Sequence, residues 1–431
     1  MHPHTGTSRR HARLCGTLSF LDANAIDELM PNAVSNRLRA LAFTSLGHFS
    51  NDFTTLLFSV LIIYYNRDFG LGLALLGAVA IAYNIISGFL STQIGRFADR
   101  TRMHRILMAG GIVILGISMM LFAVSFASGA YVIPAMMAAV IALGVGEAFY
   151  HPLGASVLNR VYSGKSASAL GINGSFGSVG RSLLPIVLIP LILAVGAFYA
   201  LLILGAYAIL AGAAIFLGLG FLKDGEVRSV DTVRKAANNK KTLRRYRPVL
   251  LVLVAMVFVR AMFLLGTTTY ISEYLLNQTG SEIMVGYVLT ISFVTAIIGQ
   301  PVFGKLTDMY GGRATIGITT VFSALLFFLF MLSGSDVALI AVTYAIFVFL
   351  SFTGFPVLLG YVNQIVPKDI TTTAHGMVWG IGNTVGGAAG IAVMSLLLFL
   401  GLSLTSTMWA MLVFGVASAF FIPFIPGREN Q

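Results

Sequence analysis

The chain has 431 residues, of which 57% are hydrophobic and 10% charged, where a soluble domain carries about 25% charged residues. This composition excludes an ordinary soluble domain and describes a polytopic, all-α membrane protein. The formal net charge of +11 does not imply nucleic acid, because the basic residues gather between apolar runs. One cysteine, Cys15, excludes an intrachain disulfide.

Residues 1–37 are polar, with Arg9, Arg10 and Arg13 followed by Asp22, Asp27 and Glu28. They lack the compact apolar region of a signal peptide and read as a cytoplasmic tail with room for a short surface helix. A membrane-spanning helix needs roughly 20 mainly apolar residues. Twelve runs qualify: 40–65, 72–94, 105–126, 131–157, 168–193, 197–222, 248–275, 284–304, 314–333, 338–365, 373–399 and 405–425. They are spans 1 to 12 below. Six lie in the segment 38–222 and six in 248–426, with a short tail, 427–431, after the last. Between the halves, 223–247 carries nine Lys or Arg and reads as a basic cytoplasmic linker.

Charge alternates along the chain. The loops after spans 2, 4, 6, 8 and 10 hold Arg100, Arg102 and Arg105; Arg160 and Lys165; the linker; Lys305 and Arg313; and Lys368. The opposite loops hold only Arg67 beside Asp68, then Glu282 and Asp336. The positive-inside rule therefore predicts that both termini are cytoplasmic.

The halves repeat each other. Gly95-Arg96-Phe97-Ala98-Asp99-Arg100 ends span 2, and Gly304-Lys305-Leu306-Thr307-Asp308, with Gly311 and Arg313, ends span 8. A weaker echo links Ala169-Leu170-Gly171 with Ala374-His375-Gly376. Repeated six-span units with a site between them are a transporter architecture.

At these two loops the chain resembles the major facilitator superfamily, whose loop motif has the form G-x-L-x-D-x-x-G-R. The second copy matches well; the first carries Arg102 where a glycine is expected. The resemblance covers about 38–426 and implies two pseudo-symmetric six-helix bundles, the major facilitator fold, working by alternating access. Three stretches are also similar to the fosmidomycin-resistance group of efflux proteins: Gly47-His48-Phe49-Ser50-Asn51-Asp52, Phe149-Tyr150-His151-Pro152, and the glycine-rich start of span 5. One departure is Gly180-Arg181, where antiporters of this kind usually have Gly-Pro. The group resemblance implies proton-driven efflux of a small drug or metabolite across a prokaryotic plasma membrane, hence drug resistance. A proton symporter or exchanger of an organic anion is the alternative.

Ionisable residues inside spans are expensive and are candidate functional residues by default. Glu147 and His151 lie four apart, on one helix face, and Pro152 is expected to loosen the ladder beside them. At ~1.5 Å per residue, Asp52, Glu147, Arg181 and Arg260 each lie roughly 15–20 Å in from one end of their spans, near the middle of the membrane. In the superfamily fold, spans 1, 4, 7 and 10 line the central cavity, which would bring Asp52, Glu147 and Arg260 to it. Burial favours the neutral form of a carboxyl group and a nearby arginine the ionised form. A Glu147–Arg181 contact made in one state and broken in another would thus load and release a proton. Glu147, Asp52, His151 and His48 are the proton-coupling candidates. Arg260 and Arg181, whose planar forks suit oxyanions, are the substrate-binding candidates together with Tyr150 and Asn51. The same charges could instead pair to hold helices together, and the histidines could be packing residues. Gly95, Asp99, Arg100, Gly304, Asp308 and Arg313 are gating candidates, latching one conformation at helix ends.

Gly171, Gly174, Gly177 and Gly180 recur every three residues and read as a close-packing face. Gly380, Gly382, Gly386, Gly387 and Gly390 do the same in span 11, where Trp379 and Asn383 are candidate cavity residues, as are Tyr361 and Asn363 in span 10. No nucleotide loop, enzyme motif or metal-ligand spacing is found, so neither a cofactor nor a metal is expected. The expected partners are a small-molecule substrate, protons and membrane lipid, and the expected state is a monomer.

Overall fold

The computed structural model describes residues 23–162, 166–222, 232–367 and 370–427. The N-terminal segment up to residue 22, the linker residues 223–231, Lys165, Lys368 and the last four residues lie outside the described residues. So do the side chains of Asp99 and Arg100.

The described residues are helical almost throughout. Ten helices are long and apolar enough to cross a membrane, beginning with Val34–Phe69 and ending with Leu404–Phe424. The 50-residue stretch Ala169–Gly218 holds spans 5 and 6. Its turn is Gly196, whose φ of 81° and ψ of 158° are open to glycine and strained for other residues. Span 10 is the remaining one, divided into Val337–Ser351 and Gly354–Ile365.

The expected boundaries need two corrections. The linker is helical in its second part, because the helix Thr232–Thr269 runs from it through Pro248 into span 7. The loop motifs are not loops: Gly95–Arg100 lies within the helix Leu73–Thr101, and Gly304–Asp308 within Glu282–Tyr310. Each helix stops just beyond its motif, at Arg102 with φ 58° and at Gly311 with φ 84°. The degenerate copy thus places an arginine in left-handed backbone, which costs a non-glycine residue roughly 1–2 kcal/mol.

Spans 1, 7 and 10 are discontinuous. Span 1 turns at Thr54–Leu56, between Ala23–Phe53 and Leu57–Phe69. Thr54 N–H and Thr55 N–H reach back three residues to Asn51 O and Asp52 O, and Thr54 Oγ1 donates to Asn51 O at 2.6 Å. Such side-chain bonds compete with the helical ladder. Span 7 turns at Tyr270, and span 10 at Phe352 and Thr353, where Thr353 Oγ1 donates to Leu350 O. Span 11 instead loosens into a π-helical stretch, Met377–Val385. Span 4 does not loosen: the helix Val132–Tyr162 continues through Pro152. Discontinuous spans are tolerated where freed backbone groups line a polar cavity, and these surround one.

Candidate functional site

A cavity of about 290 Å³ lies between the two halves. Its wall takes Asp52, Glu147, His151 and Arg181 from the first half and Arg260 and Gln300 from the second. Hence six residues from spans 1, 4, 5, 7 and 8, far apart in sequence, share one space.

Asp52 is the hub of the first half. Its carboxylate is buried and accepts from Arg181 Nη2 at 2.5 Å. His48 Nε2 lies 3.5 Å from one carboxylate oxygen and His151 Nε2 3.7 Å from the other. Asn51 Nδ2 donates to Asp52 Oδ1 at 3.2 Å. The arginine expected against Glu147 is therefore against Asp52. Among the described residues Glu147 accepts only from Thr54 Oγ1, at 3.3 Å, in the turn of span 1. The reason is helix packing. Gly177 and Gly180 bring span 5 so close to span 1 that a Cβ at 177 would lie 2.8 Å from Asp52 Oδ2, and one at 180 would strike Phe49 O. Arg181 then follows directly onto Asp52.

His48 and His151 both aim Nε2 at one carboxylate, and the His151 side chain is 48% exposed at the cavity wall. His48 Nδ1 is fixed by Asn173 Oδ1 at 2.9 Å. His48, Asp52 and His151 place potential metal ligands within 4.8 Å of one another, a constellation that sequence spacing did not reveal. Arg181 already supplies a cation to that carboxylate, so the cluster is balanced without an ion. Tyr150 is buried behind the cavity wall, its ring packed on His48 with centroids 4.8 Å apart and its hydroxyl 2.9 Å from both Thr44 O and Asn173 Oδ1.

Arg260 dominates the second half. It is only 5% exposed, its Nη2 donates to Ser351 O at 3.3 Å, and its Nε has no hydrogen-bond partner. No carboxylate lies within ion-pair distance of it among the described residues, since Asp52 is taken by Arg181 and Glu147 by Thr54. Trp379 and Asn383 line the cavity as expected, while Tyr361 points away, its hydroxyl donating to Pro426 O.

One end of the cavity is sealed across the halves. Ser59 bonds Ser272 Oγ at 2.9 Å and Thr268 O at 3.0 Å, Tyr64 donates to Glu282 at 2.7 Å, and Arg67 pairs with Glu282. Tyr270 Oη donates to Leu73 O. This is the end remote from the basic loops.

The sequence model of the Major Facilitator Superfamily matches residues 44–394. The chain belongs to this superfamily. It is a multi-pass secondary transporter, not an enzyme, and it handles a small-molecule substrate. It is 22% identical to the fosmidomycin resistance protein of Escherichia coli (strain K12) over 362 residues, 83% of this chain and 86% of that one. Among solved structures it is similar to a D-xylose-proton symporter, with TM-score 0.73 at 13% identity over 92% of this chain and 99% of that one. A bacterial homologue of the human lysosomal transporter Spinster, in an inward-facing and unoccupied conformation, gives TM-score 0.70 at 15% identity over 92% and 97%. These structures share the fold.

In this transporter the gating candidates sit where the repeated motif closes spans 2 and 8. Gly95 faces Pro152 of span 4, a Cβ there lying 3.4 Å from the proline. Gly304 and Asp308 lie in the last turns of their helix, and Arg313 Nη2 donates to Pro423 O at 3.4 Å. Sequence reasoning missed Gln364, which accepts from Gly312 N–H at 2.9 Å and donates to Thr307 O at 3.1 Å, clamping both sides of that turn. It also missed Asn173, Thr54 and Gln300, the last donating to Ser178 Oγ across the halves at 2.8 Å. The available signal was a neutral amide or hydroxyl inside an apolar span, which is weaker than a charge.

Proposed function

We propose that this transporter exports a small organic compound bearing an anionic group in exchange for protons, across a prokaryotic plasma membrane and as a monomer. The observation that carries the reading is the division of the cavity: a carboxylate–histidine–arginine cluster on one wall and, on the other, a buried arginine with no carboxylate in ion-pair distance among the described residues. The resistance function in the name of the Escherichia coli relative supports export. With both termini cytoplasmic, the sealed end faces outward, and the half-exposed His151 meets the cytoplasmic approach.

Glu147 is the proton carrier, since it lines the cavity with a hydroxyl as its only bonded neighbour among the described residues. Asp52 assists. Glu147→Gln should uncouple transport from the pH gradient while preserving substrate exchange; normal coupling in that variant would remove Glu147 from this role.

The alternative is a proton symporter or exchanger of an organic anion, which the uncompensated charge of Arg260 would suit. Proteoliposomes holding a pH dye, with no starting gradient, separate the two. Phosphonates, organic acids and then lipophilic drugs are added outside, with protein-free liposomes as controls. Entry by antiport makes the lumen alkaline and entry by symport makes it acidic, whichever way the protein is inserted. Acidification by an organic acid would overturn the export reading.

A further inference from the structure

The break in span 10 leaves a helix start at the cavity wall. The helix Gly354–Ile365 begins after Thr353, whose side chain makes no capping bond to it. Instead Thr353 Oγ1 turns back to Leu350 O at 2.9 Å. The first N–H groups of any helix lack partners within it and point out along its axis, carrying partial positive charge. Gly354 and Leu358, one turn apart, both line the cavity, so this first turn borders it. Pro356 in that turn has no N–H to satisfy.

A second feature converges on the same spot. Arg260, 95% removed from solvent by its 5% exposure, carries the partnerless Nε. Its Nη1 lies 3.1 Å from where a Cβ of residue 354 would sit, closer than nearly all real Cβ contacts. Glycine at 354 therefore lets the guanidinium and the helix start share one pocket. The cavity wall also carries the apolar Leu264, Leu265 and Ile391. Phe352, at the break, lies beneath the Arg181 guanidinium, whose Cζ is 5.9 Å from the ring centre.

We propose that the uncapped start of helix Gly354–Ile365 and the Arg260 guanidinium together form a receptor for one oxyanion group of the substrate, a carboxylate, phosphonate or phosphate. An anion there meets backbone N–H groups, a helix dipole and a charged fork in a desolvated place. The substrate's apolar body lies against the leucines. The inference rests on the reading of the cavity as the substrate site, and it adds a binding element that no charged side chain supplies. It also divides labour: the second half holds the anion, and the first half handles the proton.

The test uses the purified full-length transporter, its thermal unfolding midpoint followed against phenylphosphonate and against the uncharged dimethyl phenylphosphonate. Phenylphosphonate should raise the midpoint saturably and the ester should not. Gly354→Val, which changes no charge, should weaken the apparent affinity at least tenfold, and Gly354→Ala severalfold. Arg260→Gln should weaken it at least as much as Gly354→Val. Unliganded midpoints of the two glycine variants close to wild type establish that they fold. Loss of affinity in Arg181→Gln, with none in Gly354→Val or Arg260→Gln, would overturn this receptor while leaving an anionic substrate standing. No response of the wild type to phenylphosphonate, or an equal response to the ester, would overturn both.

Discussion

Asp52 has four neighbours competing for two oxygens: Arg181, His48, His151 and Asn51. A buried carboxylate of this kind is tolerable only while it is paired, and removing one partner of such a pair costs about 3–5 kcal/mol. Asp52→Asn and Arg181→Gln should each lower stability by an amount of that order. The double variant should lose less than the sum, with a coupling of about 2 kcal/mol in a thermodynamic cycle. Additive losses would mean that the pair contributes no mutual stabilisation. Glu147 differs because its only bonded neighbour among the described residues is a hydroxyl, so Glu147→Gln should be tolerated structurally and its effect should appear in coupling. Both carboxyl groups were proton-coupling candidates in sequence, Glu147 as carrier and Asp52 assisting, and their surroundings differ.

At the scale of the helix, the glycines of span 5 decide where its arginine goes. Gly180 lies against the Phe49 carbonyl and Gly177 against His48 and Asp52. A methyl group at 180 must push spans 1 and 5 apart, and overpacking of this sort typically costs 1–3 kcal/mol. Gly180→Ala should therefore lower the unfolding midpoint and also weaken the Asp52–Arg181 coupling measured by the same cycle. Unchanged coupling in that background would show that Arg181 reaches Asp52 without close packing. The discontinuities belong to this scale too. Threonines mark all three, Thr54 and Thr55 in span 1, Thr267 to Thr269 in span 7 and Thr353 in span 10, and hydroxyls that bond the preceding turn weaken the helical ladder there.

Across the whole molecule, the hydrogen bonds that join the halves gather at one end, with Gln300–Ser178 beside the cavity. Alternating access requires that end to open, so the Arg67–Tyr64–Glu282 group must separate. An ion pair as exposed as this contributes at most about 1 kcal/mol, or roughly fivefold in a conformational equilibrium. Glu282→Gln should raise the labelling rate of a Thr268→Cys reporter from that end by up to about fivefold, in a background lacking Cys15. An unchanged rate would assign the seal to Ser59, Ser272 and Tyr270 instead.

The sequence by itself determined the class, the twelve spans, the repeat and the family, because each is written in local quantities: apolar length, loop charge and spaced glycines. It also named the buried charges, since an ionisable residue inside an apolar run is visible without coordinates. It did not determine their partners. Arg181 stands 129 residues from Asp52, and only the approach of span 5 to span 1, set by Gly177 and Gly180, decided between Asp52 and Glu147. Nor could it reveal the helix start at Gly354 beside Arg260, 94 residues earlier in the chain. A break in a helix leaves a weak local trace, and its meaning depends on which distant side chain it meets across the cavity.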